Sequence, residues 1–309
     1  MTQPTRPRRH DLPGDPVVPP GPSTIDLHTH TARSDGLLEP ADLVAQAAAA
    51  GVRLLAITDH DTLAGVREAL AAGAVPATLE LLPGIELNAV VRDRPELRES
   101  EVHVLGLGVD PGDEELEAAL RRQRDARRTR FELMVRLLAA LGLPVDDALE
   151  AMPVTGDDDA LGRPRVARAM IAKGYATSIE DAFRRYLSRG GPGYVPRDGL
   201  GPLEAIHAIR AAGGLASLAH FSEAPQQAAV IAELQAAGLG GIEVYYRTFD
   251  AVTVGLMKRF AAAHRLVATG GTDYHGDVEP YAATHAALWV PPSVEGPLRA
   301  AMAESAASR

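Results

Sequence analysis

No cysteine occurs in this chain. That absence excludes disulfides, thiolate metal sites and cysteine nucleophiles, and it fits a reducing cytosol, so a cytoplasmic protein is expected. Aromatic residues are scarce at 4%, and the core must be built mainly from the alanine, leucine and valine of a 46% apolar composition. Long apolar runs are missing too. None approaches the roughly 18 residues of a membrane span, and no membrane partner is expected. Positive charge is in deficit: the net charge is −10. Such a chain has no broad basic face for long duplex nucleic acid. A small anionic substrate would need local help from metal ions or a few arginines.

The 309 residues suffice for one large α/β domain, alone or with an insertion. Met1 to Ser23 is rich in proline, carries two short arginine clusters and lacks the apolar core of a signal peptide. It reads as a disordered leader, residues 1–23. From Thr24 onward short apolar strands alternate with helical patterns. Thr24 to His28 predicts a strand, Pro40 to Ala50 a helix closed by Gly51, Arg53 to Thr58 a strand, and Leu63 to Ala72 a helix. Leu79 to Leu82 and Val102 to Leu107 continue the strands. Asp113 to Leu141 predicts one long charged helix, and the spacing stays helical to about Arg189, with a loop at Gly156 to Gly162. The strand–helix rhythm returns with helices at Pro202 to Ala212, Pro225 to Ala237 and Phe249 to His264. Strands are predicted at Leu215 to Leu218, Gly241 to Tyr245, Leu266 to Thr269 and Ala286 to Val290, before a terminal helix. The division that follows is a barrel or sheet unit of residues 24–112 and 200–309, interrupted by a mainly helical subdomain of residues 113–199.

Six of the ten histidines fall in a few short segments, and carboxylates fall beside them. His28 and His30 end the first strand, spaced so that both face one side. His60, Glu86, His103, His220, Asp273 and His275 each sit at or just after a predicted strand. In α/β barrels and open sheets that is where functional groups collect. Neutral imidazole and carboxylate are the usual ligands of divalent transition metals. One histidine would mean little, but the repetition points to a metal centre of more than one ion. Placing so many polar groups at strand ends without partners would otherwise be costly.

The motifs H-T-H-T-x-x-S-D-G from His28, T-D-H-D from Thr58, G-I-E from Gly84, V-H-x-L-G from Val102, L-A-H from Leu218 and G-T-D-Y-H-G from Gly271 resemble, in this order, those of the PHP family, named for polymerase and histidinol phosphatase. The resemblance runs from Thr24 to about Val290. It implies an α/β fold, a distorted (β/α)7 TIM-like barrel with up to three divalent ions at its mouth. It further implies nine metal ligands: His28, His30, Asp35, His60, Glu86, His103, His220, Asp273 and His275. Glu86 would bridge two ions, one also held by His28, His30 and Asp273 and the other by His103 and His220. Asp35, His60 and His275 would hold the third. The two to three ions are expected to be manganese, iron or zinc, with manganese foremost. Glu86, Asp273 and His275 are expected at the reacting centre. Asp26 and Asp59 read either as carboxylates that orient imidazoles or as strand-end and turn caps.

Clustered divalent ions suit phosphoester hydrolysis, and attack by a metal-bridging hydroxide is the expected chemistry. The inserted segment resembles the PHP branch acting on nucleotides and short RNA: G-R-P-R-V-A-R from Gly162, then Gly174-Tyr175, F-x-x-Y-L from Phe183 and G-Y-V-P-R from Gly193. The resemblance implies a metal-dependent phosphoric ester hydrolase for nucleoside 3′,5′-bisphosphates, nucleoside 5′-monophosphates or short 5′-phosphorylated RNA. Arg163 and Arg197 are candidate phosphate contacts, since guanidinium offers a planar fork. Tyr194 is a candidate base-stacking ring. The run Arg121 to Arg130 reads as a solvated helix face paired with Glu117, Asp125 and Glu132. The chain departs from the family at Arg165, often histidine, and at Phe221, usually proline. Three other readings stay open: a histidinol-phosphate phosphatase, a non-catalytic metal-binding PHP module, and a metal-dependent amidohydrolase.

Overall fold

The computed structural model describes residues 23–92, 101–152, 161–276 and 279–308. The expected leader lies outside these residues except for Ser23, which is buried and donates its hydroxyl to the Ile25 carbonyl at 2.8 Å. Much of the expected Gly156 to Gly162 loop also lies outside them.

Among the described residues seven strands form one sheet in sequence order: β1 (Ile25–Asp26), β2 (Leu54–Ile57), β3 (Glu80–Val90), β4 (Glu101–Leu107), β5 (Leu215–Leu218), β6 (Gly241–Tyr246) and β7 (Val267–Gly271). All neighbours are parallel except at β4, which runs antiparallel to both β3 and β5. The sheet closes on itself beyond β1: the Leu27 amide donates to Gly270 O at 3.1 Å and the Asp273 amide to His28 O at 2.7 Å. The result is the distorted α/β barrel that the sequence predicts, with the reversal of β4 as the distortion. Strands β2 and β5, LLAI and LASL, are buried throughout, as strands covered on both faces must be.

Helices α1 (Pro40–Ala49) and α2 (Ala64–Ala71) follow the first two strands. Pro40 starts α1 with its φ already set for a helix. Next comes α3 (Glu114–Ala140), opened by Asp113, whose carboxylate accepts the Leu116 amide at 2.8 Å. Three short helices follow, α4 (Asp146–Glu150), α5 (Arg163–Ala172) and α6 (Ile179–Ala182), the last running into a π-helical turn at Phe183–Leu187. The second half of the barrel is covered by α7 (Pro202–Ala211), α8 (Ala228–Ala236) and α9 (Ala251–Ala263), with α10 (Tyr281–Ala286) and α11 (Glu295–Ala307) closing the chain.

Two separate apolar cores result. The barrel core includes Ile25, Leu55, Ile57, Leu87, Leu105 and Ile242. The second is built from Met134, Leu138, Val145, Val166, Met170 and Leu187. Helix α3 belongs to both: Leu116 and Leu120 pack into the barrel, while Met134 and Leu138 pack into the helical core.

Two expected elements differ. Ala286 to Val290 is not a strand: α10 ends at Ala286, and Leu288 and Val290 pack into the barrel core without joining the sheet. Its apolar composition satisfies burial in either conformation, and β1 already occupies the edge of β7. The helix expected from Pro225 is a single 3-10 turn, Ala224–Gln226, followed by α8.

Leu105 lies on reversed strand β4 and is fully buried. Leu105→Ala should lower the unfolding free energy by about 2–5 kcal/mol, read from urea denaturation, the range for truncating a well-packed leucine.

Candidate active site

Six of the seven strands bring candidate ligands to a polar cluster at the mouth of the barrel. His28 and His30 follow β1, His60 follows β2, Glu86 lies within β3, and His220 follows β5. Asp273 and His275 follow β7. His103 is only the third residue of β4, yet it reaches the same mouth because that strand runs the other way.

Glu86 is the centre, and it is fully buried. Around its Oε2 stand His28 Nε2 at 3.1 Å, His30 Nε2 at 3.1 Å and His60 Nδ1 at 3.2 Å. Around its Oε1 stand His103 Nδ1 at 2.8 Å and His220 Nε2 at 3.4 Å. Asp273 Oδ1 lies 3.3 Å from His28 and 3.2 Å from His30. Asp35 Oδ1 lies 3.2 Å from His275 Nε2, and Asp35 Oδ2 lies 3.7 Å from His60 Nε2. The nine sequence-predicted side chains therefore meet in one pocket.

Their arrangement fits divalent cations better than it fits hydrogen bonding. A carboxylate offers about four acceptor directions, and five imidazoles surround Glu86. Both ring nitrogens of His30, and Nδ1 of His60, are buried without a hydrogen-bond partner despite the short distances to carboxylate oxygen. Orphaned groups of this kind are costly unless something else satisfies them. Three overlapping sets bring their donor atoms within 4.8 Å of one another: His30, Asp35, His60 and His275; His28, His30, Glu86 and Asp273; and His60, Glu86 and His103. These sets share His30 and His60 more widely than the partition the resemblance implies, and His220 stands beside Glu86 outside all three.

The backbone is bent to make this possible. His220 has φ 33° and Asp273 φ 50°, in the left-handed region that non-glycine residues enter at a cost. Gly271 lets β7 pass close to β1, since a Cβ there would stand 2.4 Å from His28 Cβ.

Several residues were missed by sequence reasoning. Glu243 on β6 is fully buried, with Oε1 3.3 Å from His28 Nδ1 and Oε2 accepting the His220 amide at 2.8 Å. Tyr246 donates its hydroxyl to Asp273 Oδ2 at 2.8 Å. The triplet Gly241-Ile242-Glu243 repeats Gly84-Ile85-Glu86, a signal that could have exposed Glu243. Asp61 is buried too. It accepts the Asn88 amide at 3.1 Å and pairs with Arg127.

Asp26 and Asp59 are loop and strand-end caps rather than imidazole partners. Asp26 accepts from the Thr272 amide and hydroxyl and from Tyr281 Oη, all at 2.8–2.9 Å. Asp59 accepts from the Thr31 amide, the Thr31 hydroxyl and the Ser34 hydroxyl.

Beside the mouth lies a group of arginines. Arg197 pairs with Glu101, two residues before His103, and its Nη2 is 3.7 Å from Asp61. Arg163 lies over the Phe183 ring at 5.3 Å, and Arg130 lies 5.9 Å from the Tyr194 ring centre. Burial keeps the Glu101 carboxyl from ionising freely, but Arg197, Arg163 and Arg130 outweigh it and hold the carboxyl below its usual range. Burial, with Arg163 and Arg197 nearby, lowers Arg130 to about 10. The Arg121 to Arg130 run is thus only half a solvated face. Arg121 and Arg122 are exposed, and Arg124 pairs with Glu117 at 2.8 Å as expected. Arg124, Arg127 and Arg130 nevertheless turn inward, to Asp61 O, the Asp61 carboxylate and Val195 O respectively. The two departures from the family are absorbed in packing. Arg165 reaches toward the Leu149 and Met152 carbonyls, and Phe221 packs against the barrel core.

Electrostatics sharpen the same picture. Burial opposes a charge on Glu86 and Asp273, yet the surrounding imidazoles hold both carboxyls well below the ordinary range. Burial lowers His60 to about 3 despite Glu86 and Asp35, leaving it neutral. Burial also acts to lower His30, but Asp273 and Glu86 outweigh it and raise it to about 10. His28 and His220 shift upward in the same way. A raised histidine stabilises the fold fully below its unfolded value, near 6.5, and loses that contribution as pH climbs through the folded value. Chelator-treated protein should therefore lose stability between pH 6.5 and about 10. His30→Asn should flatten that decline, and urea denaturation across the window checks both outcomes.

Comparison with known proteins agrees with the geometry. Residues 26–185 match the family model described as PHP domain. A 3′,5′-nucleoside bisphosphate phosphatase of Chromobacterium violaceum is 34% identical over 83% of this chain and 89% of its own length. The 5′-3′ exoribonuclease Rnm of Salmonella typhimurium is 33% identical over 88% of this chain and 91% of its own. A solved structure from Bifidobacterium adolescentis, proposed as a metal-dependent phosphoesterase, superposes with a TM-score of 0.69 at 33% identity, covering 84% of this chain and 90% of that one. This chain belongs to the PHP domain family and is a metal-dependent phosphoesterase.

Proposed function

We propose that the enzyme removes phosphate from nucleotides: nucleoside 3′,5′-bisphosphates first, then nucleoside 5′-monophosphates or short 5′-phosphorylated RNA. The observation that supports this reading is the clustering of Arg127, Arg130, Arg163 and Arg197 around Glu101 and Asp61, two carboxylates among the described residues, beside His103. Clustered guanidinium groups next to a phosphoryl-transfer centre suit a substrate that carries a second phosphate. The names of the two curated relatives support the same class.

In this reading His28, His30, Asp35, His60, Glu86, His103, His220, Asp273 and His275 hold two to three divalent ions, manganese by preference. Mixed imidazole and carboxylate ligation admits iron and zinc as well. Ions bound there would polarise the phosphoryl oxygens and lower the pKa of a coordinated water, the source of the attacking hydroxide. Glu86, Asp273 and His275 sit where the reacting phosphate would lie. The arginines orient the remote phosphate. Tyr194, already flanked by Arg130, would stack on a base. Among the described residues no helix is long and apolar enough to cross a membrane, and we assign the work to the cytoplasm, where nucleotides are handled.

Initial rates on adenosine 3′,5′-bisphosphate, AMP, a short 5′-phosphorylated RNA and histidinol phosphate test the assignment. The bisphosphate or RNA should lead, and a wide preference for histidinol phosphate would overturn the substrate class. Arg163→Ala and Arg197→Ala should each lower kcat/KM on the bisphosphate roughly 10- to 100-fold, the cost of a charged hydrogen bond. Both should leave turnover of an activated aryl phosphate nearly unchanged, since it has no second phosphate to hold.

A further inference from the structure

Strand β6 reads Gly-Ile-Glu-Val-Tyr-Tyr and supplies none of the nine candidate ligands. It lies between β5, which delivers His220, and β7, which delivers Asp273. Its one carboxylate, Glu243, is fully buried on the barrel interior. Buried carboxylates are rare unless paired, and this one is divided between two of the candidate ligands. Oε1 faces His28 Nδ1 at 3.3 Å, and Oε2 accepts the His220 backbone amide at 2.8 Å.

We propose that Glu243 is the positioning residue of the metal centre, aiming His28 and His220 at Glu86 from behind. The inference rests on the reading of the nine residues as metal ligands. Each contact does a separate task. Donation of Nδ1–H from His28 to Glu243 fixes the tautomer that leaves Nε2 bare, and Nε2 is the atom 3.1 Å from Glu86 and 3.3 Å from Asp273. The bond to the His220 amide pins that residue at φ 33°, a conformation it would leave without support, and so holds its ring toward Glu86. The two rings lie nearly parallel, with centroids 5.9 Å apart, so one carboxylate sets both.

Glu243→Gln separates this role from packing, because the side chain keeps its shape. An amide accepts at only one of its two terminal atoms, so either His28 Nδ1–H or the His220 amide loses its acceptor. Manganese binding by wild type and variant is measured by titration calorimetry, with ion content per chain after dialysis. The expected result is an affinity about 10- to 100-fold weaker in the variant, with fewer ions retained and a chelator-treated melting temperature close to wild type. Affinity within twofold of wild type would overturn the proposal. So would a loss of the chelator-treated fold in proportion to the loss of affinity, since Glu243 would then be a packing element. A wild type that binds no divalent ion would instead remove the metal-centre reading itself. The fourth measurement needs no variant. In zinc-loaded wild type, nitrogen-15 spectra should show His28 protonated at Nδ1 and ligated through Nε2, and the opposite tautomer would refute the assignment.

Discussion

One buried carboxylate organises this molecule. Glu86 is surrounded by the rings of His28, His30, His60, His103 and His220, all within 3.4 Å. Such a group cannot be left to protons alone. Its few lone pairs cannot serve five donors, and the rings that crowd it cannot all be charged without repelling one another. The opposed shifts of His30 and His60 express that conflict directly: one is driven to about 10 and its neighbour to about 3. Divalent cations would resolve it, because each can take several neutral rings and share one carboxylate.

The barrel is shaped around that demand. Parallel strands deliver their ends to a single mouth, but β4 must run backward to bring His103 to it. Left-handed backbone at Asp61, His220 and Asp273 marks the turns where a regular strand end would aim a side chain elsewhere. Three of the four non-glycine residues with positive φ among the described residues lie at the mouth, the fourth being Arg265 between α9 and β7, while the apolar strands below the mouth stay buried. Irregularity at functional sites on a regular scaffold is the expected distribution when a fold must hold polar groups together against their own repulsion.

The same distinction explains what could be read from the sequence. Strand-end histidines were legible because a single residue in an apolar run announces itself, and the segments carrying them keep a recognisable order. The long helix α3 and the return to the α/β rhythm at Pro202 were legible from periodicity. Glu243 and Tyr246 were not. Three residues apart on a strand, they should face opposite sides. A bulge between Glu243 and Tyr245 breaks the parity and lets both reach the interior. Asp61 was hidden for a different reason: its partners, Asn88 and Arg127, are distant in sequence. Ala286 to Val290 has a strand's composition but packs as an irregular segment, because the sheet has no open edge left for it.

Helix α3 links the metal-ligand candidates to the neighbouring arginines. Its first half packs in the barrel core and its second half in the helical core, so the two units share one rigid element. Gln123, on that helix, donates to Asn88 O at 3.0 Å and accepts the Leu200 amide at 2.7 Å, tying the end of β3 to the returning chain. Arg127 and Arg130 lie about one and two turns further along. The arginines are thereby held at a fixed offset from the strand that carries Glu86, and Asp61, next to His60, joins the two systems directly. This geometry separates two kinds of sequence change. Alteration at the mouth acts on a set of mutually dependent ligands. Alteration in the helical unit, such as Arg165 in place of histidine, is taken up by local carbonyls and leaves the ligands untouched. The helical unit can therefore change in sequence without disturbing the candidate ligands.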